Sequence, residues 1–181
     1  MKRLTTLILF GLALFTGNIC AQKNKPAAPR FSSVYTSLKN KCIVYEGENG
    51  SDSSFDCRGV GGYRVAVWYS ASTEIIALEP PDKTTRIVLD EHDIFSDYSK
   101  IKIEWRLANG KPFAVIMRVF KYGDEKANEY DIFGKKIGEE LKIVGLKGFE
   151  NIDFTVDTKT PDANLKARAL ADNGYAQKPK N

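Results

Sequence analysis

The chain has 181 residues, 43% of them hydrophobic and 28% charged, with a formal net charge of +4. Those proportions lie near the globular average and exclude disordered, collagen-like and low-complexity architectures. Seven basic residues fall outside residues 31–174, so that segment carries −3; this argues against a nucleic-acid partner and against strong electrostatic attraction to a membrane.

Residues 1–21 read as an export signal. Lys2 and Arg3 form a positive start, a mostly apolar run of 12 residues follows (4–15), and Ala21-Gln22 is a plausible cleavage point. The run is shorter than the roughly 20 residues a membrane-spanning helix needs, so an N-terminal anchor is disfavoured. A lipoprotein modified at Cys20 is disfavoured too, because Asn18-Ile19 are not the small residues such signals place before the cysteine. Without the signal, 160 residues remain and the charge falls to +2. Residues 22–30 form a polar leader with two prolines, residues 31–174 a single domain, and residues 175–181 a frayed tail. The mature chain has no further apolar stretch of spanning length and is expected to be soluble.

Two cysteines, Cys42 and Cys57, remain after the signal. In an exported chain an even count implies a disulfide, and two cysteines allow one pairing. Closing a loop of about 15 residues is worth about 3 kcal/mol. The intervening acids Glu48, Asp52 and Asp56 could form a weak cation loop, although calcium needs about six oxygens and the helix–loop–helix spacing is absent.

Farther along, the dominant period is two. Gly59-Val60-Gly61-Gly62 reads as a tight positive-φ turn leading into a strand, since a phosphate loop would need a helix after it. In the strand at 63–69, alternation places Tyr63, Val65, Val67 and Tyr69 on one face and Arg64, Ala66 and Trp68 on the other. With the first face in the core, Trp68 and Arg64 become a candidate binding surface, partly exposed or covered by a helix. Strands are also expected at 42–46, 74–78 and 86–89, with Pro80-Pro81-Asp82 as a break. The only histidine, His92, stands in Asp90-Glu91-His92-Asp93, where a helix start or exposed turn explains the acids more simply than a metal site or general base.

Residues 101–107 alternate strictly, with Ile101, Ile103, Trp105 and Leu107 on one face of a half-buried strand. Asn109-Gly110 supplies a hairpin turn, and 113–120 is apolar on both faces, as a central strand covered on two sides would be. Further strands are expected at 141–146 and 152–156. Glu139-Glu140 and Asp124-Glu125 are flanked by lysines and are expected to face solvent. The C-terminus then changes to a helical signal, with Thr160 as cap, Pro161 in the first turn and Asn173-Gly174 as stop. Ala163, Ala167 and Leu170 make a narrow apolar stripe, with Leu165 and Ala169 beside it. A short helical turn is expected at 32–38. Together these elements describe a mainly β, α+β domain: an antiparallel sheet, sandwich or barrel of about eight strands with a C-terminal α-helix packed on it.

Four stretches in order, Cys57-Arg58-Gly59-Val60-Gly61-Gly62-Tyr63, Glu104-Trp105-Arg106, Pro112 to Arg118 and Asp162 to Asp172, resemble those of a group of small exported bacterial proteins of unestablished function. The resemblance implies a bacterial, exported, single-domain protein and transfers no catalytic or binding residue. The sequence itself contains no GxSxG motif and only one histidine. The expected function is therefore a non-catalytic binding module of the bacterial periplasm or exterior, with a protein or envelope component as partner and no cofactor or metal. The alternatives are a small envelope hydrolase using carboxylates or His92, and an envelope structural protein.

Overall fold

The computed structural model describes residues 27–38, 42–45, 54–70, 73–93, 101–123 and 134–178. In chain order the strands are β1 (Phe31–Ser37), β2 (Cys42–Tyr45), β3 (Ser54–Arg58), β4 (Arg64–Ser70), β5 (Thr73–Glu79) and β6 (Ile87–Asp93). They continue with β7 (Lys102–Ala108), β8 (Lys111–Tyr122), β9 (Lys136–Gly145) and β10 (Asp153–Asp157), and α1 (Ala163–Ala176) ends the fold. The first sheet has the order β1-β7-β8-β9-β10, the second the order β2-β3-β4-β5-β6. Every pairing is antiparallel, and neither sheet closes into a barrel.

The two sheets stack as a sandwich. Val65, Val67, Ile76, Leu78 and Leu89 of the second sheet meet Ile103, Trp105, Val115, Met117 and Val119 of the first in one core. This follows from the pleat, which sends alternate side chains of each strand to the same face. Trp105 is fully buried there, and its indole Nε1 donates to Thr36 Oγ1 at 2.9 Å. The β7–β8 hairpin turns through Asn109 (φ 51°) and Gly110 (φ 80°), the two positive angles a two-residue hairpin loop requires. β8 is buried on both faces, as its apolar run predicts: Val115 and Met117 face the second sheet while Ala114 and Ile116 face the helix.

The helix covers the other side of the first sheet. Ala163, Ala167, Ala171 and Gly174 form its buried stripe against Ile116, Leu141, Ile143 and Val156. Leu165 and Ala169, placed beside the stripe by the sequence, point outward, and Leu165 is 61% exposed. The stripe of small residues brings the helix so close that a Cβ on Gly174 would lie 2.6 Å from Ile152 Cγ1.

Several expectations are corrected. Residues 32–38 are not a helical turn: β1 pairs with β7 from Phe31↔Ala108 to Ser37↔Lys102, in keeping with the strand preference of its Val, Thr and Tyr. β3, which the acids of residues 46–56 obscure in the sequence, brings the strand total among the described residues to ten. Residues 90–93 are neither a helix start nor a turn, because β6 continues to Asp93 after a register shift opposite Ile76/Ala77. The helix is not capped by the Thr160 hydroxyl. Ala163 N donates instead to the Thr160 carbonyl oxygen at 3.1 Å, and Asp162 stands before the helix in the left-handed region. Nor does the helix stop at Asn173-Gly174, because Tyr175 is held in an aromatic group, stacked on Phe149 with centroids 5.2 Å apart and edge-on to Phe31 and Phe113.

Candidate functional site

Glu104 and Arg106 flank Trp105 on β7, so their side chains leave the core and meet the helix. Arg106 donates through Nε and Nη2 to both oxygens of Asp172, at 2.6 to 3.1 Å, and through Nη1 to Ser33 Oγ. Ser33 donates in turn to Glu104, which also receives Arg168 Nε at 2.6 Å, and Arg168 Nη2 donates to the Tyr35 hydroxyl at 2.9 Å. The six residues come in pairs two apart on β1, two apart on β7 and four apart on α1, the spacings at which each element repeats a face. Burial opposes ionisation of Glu104, but hydrogen bonds from Arg168 and Ser33 outweigh it and hold its carboxyl below the ordinary value. The same contacts raise Arg168. The network joins two of the four stretches that carry the resemblance, and its work is to seat the helix.

The second sheet's outer face carries Arg64, Ala66 and Trp68, opposite the core residues Val65 and Val67, as the alternation predicts. The helix does not cover Trp68, for it lies on the other sheet. What lies over the indole is Arg86, whose guanidinium carbon is 5.1 Å from the ring centroid and which pairs loosely with Glu79 at 3.7 Å. Arg64 is exposed and pairs with Asp56, its neighbour across β3 and β4. Asp56 thus sits on a strand with a cation of its own, while Glu48 and Asp52 lie outside the described residues. A row of register neighbours, Ile43, Asp56, Ala66, Ala77 and Val88, crosses the whole face, and its outer members Ile43 and Val88 are 58% and 47% exposed.

Arg86 connects this face to a groove of about 540 Å³ between the β6 edge and the β9–β10 hairpin. Ile87, Val88, Val144 and Pro80 give it apolar walls. Arg86, Lys142 and Lys147 face Glu150 and Asp153 around it. Lys147 pairs with Asp82 across the two sheets, and its backbone N donates to the Tyr63 hydroxyl at 3.2 Å. The hydrogen bond from Lys147, with help from Thr84, holds Asp82 at about 2, well below the usual carboxylate range. Glu150 accepts from Gly148 N at 2.7 Å. Lys142 is different: half-buried, in register with Met117 and Thr155 on the inter-sheet side, it has no carboxylate within ion-pair distance among the described residues.

The sequence reading missed this lysine. A signal was present, since Lys142 shares a strand face with Val144, but alternation does not say that the second sheet stops short of covering that face. Cys42 and Cys57 are direct cross-strand partners on β2 and β3 and are joined as a disulfide, as expected. His92 lies in β6 with its backbone opposite Glu74, which is fully buried. Glu139 is partly exposed, as expected, and Arg118 at 2.9 Å and Lys136 at 3.2 Å hold it and lower its carboxyl. Asp124 and Glu125 fall outside the described residues. No helix among the described residues is long and apolar enough to cross a membrane. Comparison with protein-family models, curated proteins and solved structures yields no match, so the geometry of the groove and the adjoining Trp68 face is the ground for a functional reading.

Proposed function

We propose that the protein is an exported, non-catalytic binding module of the bacterial periplasm or exterior, which engages a protein or envelope component along the groove and the Trp68 face beside it. One observation carries this reading. The sandwich leaves an apolar-walled groove open along a sheet edge, with a half-buried lysine in it that no carboxylate of the described residues neutralises. Sites of this kind, concave and largely apolar with a few placed polar groups, are where proteins take ligands. The disulfide and the signal-like residues 1–21 support export.

Affinity capture tests it. The disulfide-bonded protein, immobilised and exposed to periplasmic extract or culture medium, is expected to retain a partner that the Lys142→Gln and Trp68→Ala variants retain poorly. Equal retention by both variants would overturn the assignment of the site. Mass spectrometry of the exported protein is expected to place its N-terminus at Gln22.

A further inference from the structure

Resting on that reading, we infer that the groove's ligand is an extended peptide segment with an acidic side chain, added to β6 as a sixth strand with its carboxylate against Lys142.

β6 ends its sheet, with β5 as its one strand neighbour, so half of its backbone donors and acceptors have no strand partner among the described residues. Such an edge is a template for a further strand unless charges or bulges guard it. β6 is guarded along part of its length only. The register shift opposite Ile76/Ala77 and the acids Asp90 and Glu91 protect its distal part, whereas its first residues, Ile87 and Val88, border the groove, with Arg86 just before them as the nearest charge. The unguarded stretch of strand, Ile87 to Leu89, spans about 10 Å at about 3.4 Å per residue, enough to register a short linear motif.

The charges select among extended peptides. Lys147 is engaged by Asp82, Arg86 lies over Trp68 beside Glu79, and Glu150 is held by the Gly148 backbone. Lys142 is the cation left for a ligand. Lys142 is half-buried and shares a strand face with Val144, and a charge pair at a position partly withdrawn from water is worth more than one at an open surface. Asp153, on the same strand face next to Val144, repels a second acid near the hairpin and so confines the first to the Lys142 position. Apolar side chains on alternate residues of the same strand would meet Ile87 and Val144. An acidic, β-branched peptide satisfies the edge, the walls and the lysine together.

The test is to pan a random linear dodecapeptide library on the full, disulfide-bonded protein and to synthesise the enriched sequences. Enrichment of peptides with alternating apolar residues and one acid at a constant position is expected. Fluorescence anisotropy should then give at least tenfold weaker binding when that acid becomes its amide, and the same loss for Lys142→Gln with an unchanged melting temperature. Replacing the peptide's acid by lysine should recover binding to Lys142→Glu. Methylating alternate backbone nitrogens of the peptide should abolish binding without touching the protein, which separates strand addition from simple apolar contact. Failure to enrich any peptide, indifference to Lys142→Gln, or tolerance of backbone methylation would each overturn the inference. If capture from extract still depends on Lys142 in that case, the peptide is wrong and the binding site stands.

Discussion

The two sheets of the sandwich share one core yet meet the outside differently. The first sheet's outer face lies under α1, and the charges that point that way, Glu104 and Arg106, are 7% and 6% exposed and matched by Arg168 and Asp172. The second sheet's outer face has no helix over it among the described residues; its pairs, Arg64 with Asp56 and Arg86 with Glu79, stand partly in water, and its edge strand is fastened by a disulfide. The contrast teaches where each kind of interaction matters. Exposed ion pairs contribute little, typically under about 1 kcal/mol, while breaking a buried pair leaves an uncompensated charge that costs several times more. The helix-covered face is therefore where a broken pair should cost the most stability.

Substitutions can break this contrast, and the largest effect belongs under the helix. Arg106→Ala strands Asp172, and about 3–5 kcal/mol should be lost in urea unfolding. The double variant Arg106→Met with Asp172→Leu should recover most of that, because the desolvation cost disappears with the charges. Next comes the staple of the second sheet. Closing a loop with a sequence separation of 15 should contribute about 3 kcal/mol, so a reductant should lower the unfolding midpoint accordingly. Gly174→Val drives a side chain into Ile152 and should cost about 1–3 kcal/mol by thermal melt.

A smaller effect sharpens the comparison through pH. The Glu104 carboxyl is held below its ordinary value of 4.5 in the folded protein, so its stabilisation is complete above that value and is lost as pH falls through the lower native one. Glu104→Gln should flatten that part of the acid-unfolding profile. The smallest effect is predicted on the open face. Trp68→Ala removes one half-buried ring and its contact with Arg86, and a change within about 1 kcal/mol is expected alongside a marked loss of captured partner.

Much of the architecture was legible because local chemistry dictates it. The alternation through Trp105 and the Asn109-Gly110 turn define a hairpin whatever surrounds them, and the small residues of α1 announce a helix lying close on a sheet. β1 was not legible. Its residues read as a short helical turn until Glu104 and Arg168 appear beside Ser33 and Tyr35, and the sequence places those partners 71 and 133 residues away. β3 was hidden for a related reason, since Asp56 reads as a loop acid until β4 brings Arg64 across from it. Lys142 was read as part of a strand and no more, because its importance lies in what fails to reach it.

The sequence by itself determined the β-rich class, the hairpins, the pairing of Cys42 with Cys57 expected once Cys20 is assigned to a signal, and the terminal helix, for each rests on residues close together in the chain or on a simple count. Tertiary structure alone decided which face of each sheet is covered. Alternation divides side chains into two sets but carries no information about what packs against either, and that depends on the strand order. The helix went to the first sheet, turning Glu104 and Arg106 into buried partners. The second sheet ended at β6, which left Lys142 facing an open groove.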